Sequence, residues 1–93
     1  MSSSERVTVT IRNRLGLHAR PAMAFVDVAA GFASTISVKR KDSDESVDGK
    51  SIMQVMMLAA TTGTELEILA EGADAGDACK ALVELVESGF GEE

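Results

Sequence analysis

Three separate stretches of alternating apolar and polar side chains constrain this chain's fold more than any other feature. Val7, Val9 and Ile11 alternate with Thr8, Thr10 and Arg12; Ile36 and Val38 with Ser37 and Lys39; Leu66 and Ile68 with Glu65 and Glu67. A period of two places the apolar residues on one face of a strand. Strands of this kind need a layer over one face and leave the other to water.

The covering layer is legible between the strands. A loop spans Asn13 to His18, and the chain from Ala19 to about Gly31 then reads as helix. Pro21 suits a first helical turn, where a missing N–H costs nothing. Ala22, Phe25, Val26 and Ala29 form its core stripe, and Gly31 is a stop signal. The polar run KRKDSDESVDGK reads as a hairpin leading to a short third strand at Ser46 and Val47, and Asp48-Gly49 marks a turn. SIMQVMMLAA reads as a short apolar helix. Asp74 is placed as the N-cap of a last helix with Ala75, Ala78, Cys79, Leu82, Leu85 and Val86 facing inward and Gly89 at its end. The order βαββαβα predicts an α+β fold of two layers, with helices on one face of a mostly antiparallel sheet.

With 93 residues the chain predicts a single domain over 1–93 with one core. No apolar run is long enough to span a membrane, so no membrane insertion is expected. MSSSERV lacks a charged-then-apolar leader pattern, and the lone Cys79 suits a reducing compartment, which together point to the cytoplasm. The net charge of −6 and the absence of Trp and Tyr argue against nucleic acid as a partner. A protein partner carrying positive charge is compatible with that balance. Nothing suggests an obligate dimer, and a monomer is expected.

The only histidine and the only proline stand close together in GLHARPA, Gly16 to Ala22. A lone histidine is usually a surface or satisfied core residue. His18, however, immediately precedes a helix start, where unpaired N–H groups and the helix dipole favour phosphate. Arg20 adds a planar, permanently charged donor for phosphoryl oxygens. Gly16 permits a tight turn and close approach by a partner. These residues suit an imidazole that accepts a phosphoryl group and gives it up again, with catalysis by positioning and charge compensation. No metal or cofactor is expected: no second soft ligand is spaced to join Met53, Met56 and Met57 around an ion.

GLHARPA, with KSIMQVM starting at Lys50, resembles the histidine-containing phosphocarrier (HPr) family of the bacterial phosphoenolpyruvate-dependent phosphotransferase system. The resemblance covers essentially the whole chain. It implies an open-faced β-sandwich with four antiparallel strands in the order 1-4-2-3, covered on one face by three helices. It also implies that His18 takes phosphate on its δ (pros) nitrogen from Enzyme I and passes it to enzyme II A domains. Arg20 would assist the phosphoryl group, and Gly16, Ala19 and Pro21 would shape the helix start. The protein would then be a carrier rather than a stand-alone enzyme. Leu15 departs from members of the family that have a polar residue at that loop position.

Ser51 with Gln54 fits a capping box, which is sufficient structural reason for the serine. The cap leads into an apolar helix that cannot bury every side. Leu17, Ile52, Met53 and Met56 are the candidates for a partner-docking patch built on adaptable side chains. A phosphate on Ser51 would suit a helix start and place about two negative charges beside that patch. The resemblance matches Ser51 to the serine that HPr kinase/phosphorylase modifies in many bacteria. Two other functions compete: a regulatory module that binds through phospho-Ser51 alone, and a small-ligand or nucleic-acid module of similar fold. The retained His18 opposes the first as sole role, and the charge and missing aromatics oppose the second. The same two motifs serve carriers whose final acceptor lies in sugar uptake and carriers whose acceptor lies in a nitrogen-type regulatory branch, so both destinations stay open.

Overall fold

A computed structural model describes residues 3–91; the two ends of the expected 1–93 domain lie outside the described residues. The elements are β1 (Ser3–Thr10), α1 (Ala19–Ala30), β2 (Thr35–Arg40), β3 (Ser46–Asp48), α2 (Ile52–Met56), β4 (Glu65–Gly72) and α3 (Ala75–Glu87), followed by a 3-10 turn at Gly89–Gly91. The four strands form one antiparallel sheet in the order β1-β4-β2-β3, and the three helices cover one face, as expected.

Register explains why the alternation works. Val7 lies opposite Ile68, Ile68 opposite Val38, and Val38 opposite Val47, so one apolar row crosses all the strands. Ile68 and Val38 are fully buried in the middle of that row, and Val7 and Val47 are half-buried at its edges. The neighbouring row points the other way: Thr8, Glu67, Lys39 and Ser46 face water, with Lys39 Nζ 3.8 Å from Glu67 Oε1. Opposite charges directly across a ladder support this register modestly.

The helices close the core over the apolar rows. Phe25, Ala22 and Ala29 of α1, Val55 of α2, and Ala75, Ala78, Cys79, Leu82 and Val86 of α3 are buried against Ile36, Leu66, Ile68 and Ala70. Burying one side chain of the size of Phe25 is worth about 1.5–3 kcal/mol. Small residues on α3 let that helix lie close to β1 and β4, while α1 packs on α2 and α3. Val26 and Leu85 stand at the margins of their stripes, half-buried and packed against the core.

Several boundaries differ from the sequence reading. β1 begins at Ser3 and β4 runs to Gly72, because ladder bonds continue past the apolar pattern through Ser3 opposite Gly72 and Ser4 opposite Glu71. α2 is only five residues long. After it, Met57 and Leu58 turn the chain and Ala59 takes a left-handed φ of 51°. Gly31 stops α1 without a left-handed turn, at φ −76°. Gly89 follows the C-cap Ser88 of α3 at φ +70°, the conformation glycine is suited to.

Asp74 occupies the N-cap position of α3, but its side chain does not cap that helix. Its carboxylate instead reaches the loop after α1. It accepts from the N–H of Ala33 and of Ser34, each at 2.9 Å, and from the Ser34 hydroxyl. Ser34 is one of few buried polar residues, and this contact satisfies it. The Ser34 hydroxyl, followed by the Ala33 N–H, holds the Asp74 carboxyl below the usual carboxylate range. A depressed folded value adds stability that is present above the ordinary Asp value of about 3.9 and is lost as pH falls from there through the folded value. Asp74→Asn is therefore expected to lower the urea midpoint at neutral pH, with the gap to wild type closing below about pH 4. Urea titrations at several pH values check this; a gap unchanged down to about pH 2 would contradict it.

Candidate functional site

The site grows from the end of the β1–β4 ladder. Ile11 continues the inward face beyond β1 and is buried. Its N–H donates to Thr64 O at 2.9 Å, and its carbonyl accepts from Gly63 N at 2.8 Å. The segment 59–64, between α2 and β4, thus lies directly beneath the loop that leads to His18. Leu17 N donates to Ala60 O at 2.8 Å and closes the other end of that loop.

Gly16 makes the approach possible. Its φ is +71°, and a Cβ there would stand 2.6 Å from Ala60 O and 2.9 Å from Thr61 Cα. Both neighbours are backbone, so neither can rotate away. Leu17 then turns inward and is 6% exposed. That burial corrects the expectation that Leu17 belongs to a docking patch. An apolar residue beside a functional histidine reads the same in sequence whether it faces a partner or the core, and here it anchors the loop in the core.

His18 is the N-cap residue of α1, with extended backbone at φ −81° and ψ −171°, and its side chain does not cap the helix. Its carbonyl accepts from Ala22 N at 3.0 Å, so the helix starts directly from the histidine backbone. Ala19 and Arg20 are the first helical residues, and their N–H groups have no carbonyl within the helix to pair with. Pro21 contributes no N–H and is buried, fixing the first turn against the core. His18, Ala19, Arg20, Met23, Ala24 and Asp27 line a shallow depression that is open to solvent. Its openness favours a reacting group presented on another macromolecule over an engulfed small substrate. Met23 and Asp27 were not singled out from sequence; helical spacing from Arg20 along the same face is the signal that would have found them.

Ser51 is the N-cap of α2, and its Oγ accepts from Gln54 N at 3.3 Å. The box is not reciprocal, however. Gln54 Oε1 accepts from Asp48 N at 2.9 Å, while Ser51 N donates to Asp48 O at 3.1 Å. The β3 end and its turn compete for the glutamine, so Ser51 caps alone. On α2, Met53 is 76% exposed and Met56 is also exposed, whereas Ile52 is half-buried against the core. Met57, Met23 and Leu15 are exposed as well. α1 packs against α2, so the exposed methionines belong to one helical layer. Leu15 thus offers an apolar side chain to solvent at its loop position.

Cys79 is buried on α3, with Sγ 3.6 Å from Glu5 O. Burial, reinforced by the Glu5 carboxylate, pushes its thiol up, which opposes a nucleophilic role. Among the described residues no group of His, Cys, Asp and Glu is arranged to hold a metal ion, and no helix is long and apolar enough to cross a membrane.

Comparison with known proteins places this geometry in context. Residues 5–88 match the family model described as the PTS HPr component phosphorylation site. The phosphocarrier protein HPr of Pseudomonas aeruginosa is 50% identical over 84 residues, 90% of this chain and 92% of that protein. The phosphocarrier protein NPr of Proteus mirabilis is 39% identical over 85 residues, 91% of this chain and 93% of the relative. The crystal structure of HPr-C-His from Thermoanaerobacter tengcongensis superposes with a TM-score of 0.89 at 47% identity, covering 96% of this chain and 98% of that one.

The clearest stability test of the loop is Gly16→Ala. A positive φ and a backbone clash combine there, so the variant is expected to lose about 2–3 kcal/mol or more. A urea midpoint within error of wild type would show that the loop adjusts freely.

Proposed function

The chain belongs to the HPr family of phosphocarrier proteins of the phosphotransferase system, and we propose that it carries a phosphoryl group on His18 between Enzyme I and enzyme II A domains. One observation carries this reading: His18 begins α1 at an open depression shared with Arg20, where a partner can present phosphorus to the ring. A nitrogen lone pair of the ring (the δ position, by family resemblance) attacks the phosphorus of phospho-Enzyme I. The new P–N bond forms as the donor's P–N bond breaks, and the donor nitrogen recovers its electron pair. Delivery to the acceptor repeats the exchange in the opposite sense.

The transition state spreads negative charge over the phosphoryl oxygens. The Ala19 and Arg20 N–H groups, the positive end of α1 and the Arg20 guanidinium offer it compensation without a metal. Breaking and making similar P–N bonds keeps the exchange near balance, which a carrier requires. The protein acts as a substrate of its partners rather than as an enzyme on a small molecule. It functions as a cytoplasmic monomer without a cofactor, serving an acceptor in sugar uptake or in a nitrogen-type branch; resemblance to both HPr and NPr proteins supports that breadth.

Ser51 is the regulatory position, a substrate of an HPr kinase/phosphorylase. The Ser51 oxygen already accepts from Gln54 N, and a phosphate there keeps accepting oxygens at the helix start. Its added charge of about −2 would sit beside exposed Met53, where an apolar or acidic partner surface loses affinity.

Intact mass after incubation with Enzyme I, phosphoenolpyruvate and magnesium tests the carrier. Wild type is expected to gain one phosphate that brief acid removes, and His18→Ala to fold and gain none. An acid-stable phosphate, or labelling of His18→Ala, would overturn the assignment. Ser51→Asp is expected to fold and to accept phosphate about tenfold more slowly, equivalent to about 1.4 kcal/mol. Acceptance at the wild-type rate would remove Ser51 as the switch.

A further inference from the structure

We infer that Asn13 and Thr62 are positioning residues for phosphoryl transfer: together they clamp the loop whose Gly16 carbonyl accepts from the His18 backbone N–H. This rests on His18 being the phosphoryl acceptor. Neither residue lines the depression where the reacting groups meet.

Asn13 is 1% exposed, one of few buried polar residues. Its Nδ2 donates to Gly16 O at 2.6 Å, and the same carbonyl accepts from His18 N at 3.0 Å. One oxygen therefore links the buried amide to the histidine backbone. Thr62, far along the chain in the 59–64 segment, adds the second half. Its Oγ1 lies 2.6 Å from Asn13 O and 2.9 Å from Arg14 O, so one hydroxyl proton is shared by successive carbonyls. Asn13 O also accepts from Gly16 N at 3.1 Å.

The physical consequence follows from the left-handed Gly16. Glycine's backbone is the most permissive in the chain, and the peptide after it sets the direction in which His18 leaves the loop. The Asn13 amide restricts that peptide, and Thr62 restricts Asn13. An acceptor that works by alignment loses rate steeply when its nucleophile shifts, about a hundredfold for a displacement near 1 Å. The clamp lies beneath the loop, while the exposed methionines lie on the helices. Loosening it should therefore slow the chemical step and leave docking intact.

Thr62 is exposed, so Thr62→Val removes the hydroxyl at nearly constant shape, and Thr62→Ser restores it. Asn13→Leu removes the amide at a buried position. The test is steady-state phosphorylation of the full chain by Enzyme I and phosphoenolpyruvate, with urea midpoints and the His18 ring 15N resonances recorded alongside. Expected are a kcat lowered about tenfold for Thr62→Val and more for Asn13→Leu, a KM within about twofold of wild type, shifted His18 ring resonances, and recovery in Thr62→Ser. If Asn13→Leu does not fold, the Thr62 pair decides by itself. Thr62→Val with wild-type kcat, or with a loss confined to KM or to stability while the His18 resonances stay in place, overturns the inference. A wild-type chain that gains no acid-labile phosphate overturns the carrier reading and this inference with it; a labelled wild type beside an equally fast Thr62→Val overturns the inference alone.

Discussion

Thr10 lies opposite Glu65 at the end of the β1–β4 ladder, and that pairing decides where His18 stands. The chain leaving β1 and the chain entering β4 must emerge side by side. The loop 11–18 therefore rests on the segment 59–64, through Ile11 to Thr64 and Gly63 and through Leu17 to Ala60. β4 is the last strand in sequence, yet it occupies the interior of the sheet between β1 and β2. The platform under the histidine exists only once that strand has been inserted. Long-range pairing of this kind makes the site a product of the completed fold.

The same arrangement separates tasks by layer. The sheet turns one apolar face to the helices and a polar face to water, so it supplies rigidity and no visible chemistry. The helical layer presents both His18 and the exposed methionines. The loop and first turns from Arg12 to Val26 carry Arg12, Arg14 and Arg20 and no carboxylate, although the chain as a whole has a net charge of −6. The segment leading into α1 is thus locally positive in sequence within an acidic protein. Such local fields steer encounter and compensate charge without changing the overall balance.

Much of this was legible in particular residues. The alternations at Val7–Ile11, Ile36–Val38 and Leu66–Ile68 mark the strands, and Phe25 and Leu82 mark the buried faces of their helices. GLHARPA identified the candidate acceptor because a histidine before a proline-bearing helix start is chemically distinctive. The misreadings share one origin. Asp74 looks like an N-cap but is captured by Ala33 and Ser34; Gln54 looks like half of a capping box but is captured by Asp48; Leu17 looks like a docking residue but fills the core. Asp74 and Gln54 each had a cap of their own to complete and were taken by a group outside it, and Leu17 was taken by the core.

The sequence by itself determined the number and kind of elements, the buried face of each, and the chemistry of the residues around His18, because periodicity and residue type act over a few neighbouring positions. Tertiary structure decided the strand ends, the partners of Asp74 and Gln54, the burial of Leu17, and the clamp of Asn13 and Thr62 on the histidine loop. Those outcomes depend on which segments the fold brings together, by hydrogen bonds or by apolar packing. The Thr62 hydroxyl meets the Asn13 carbonyl across 49 positions of chain, a proximity that the register of β1 on β4 creates.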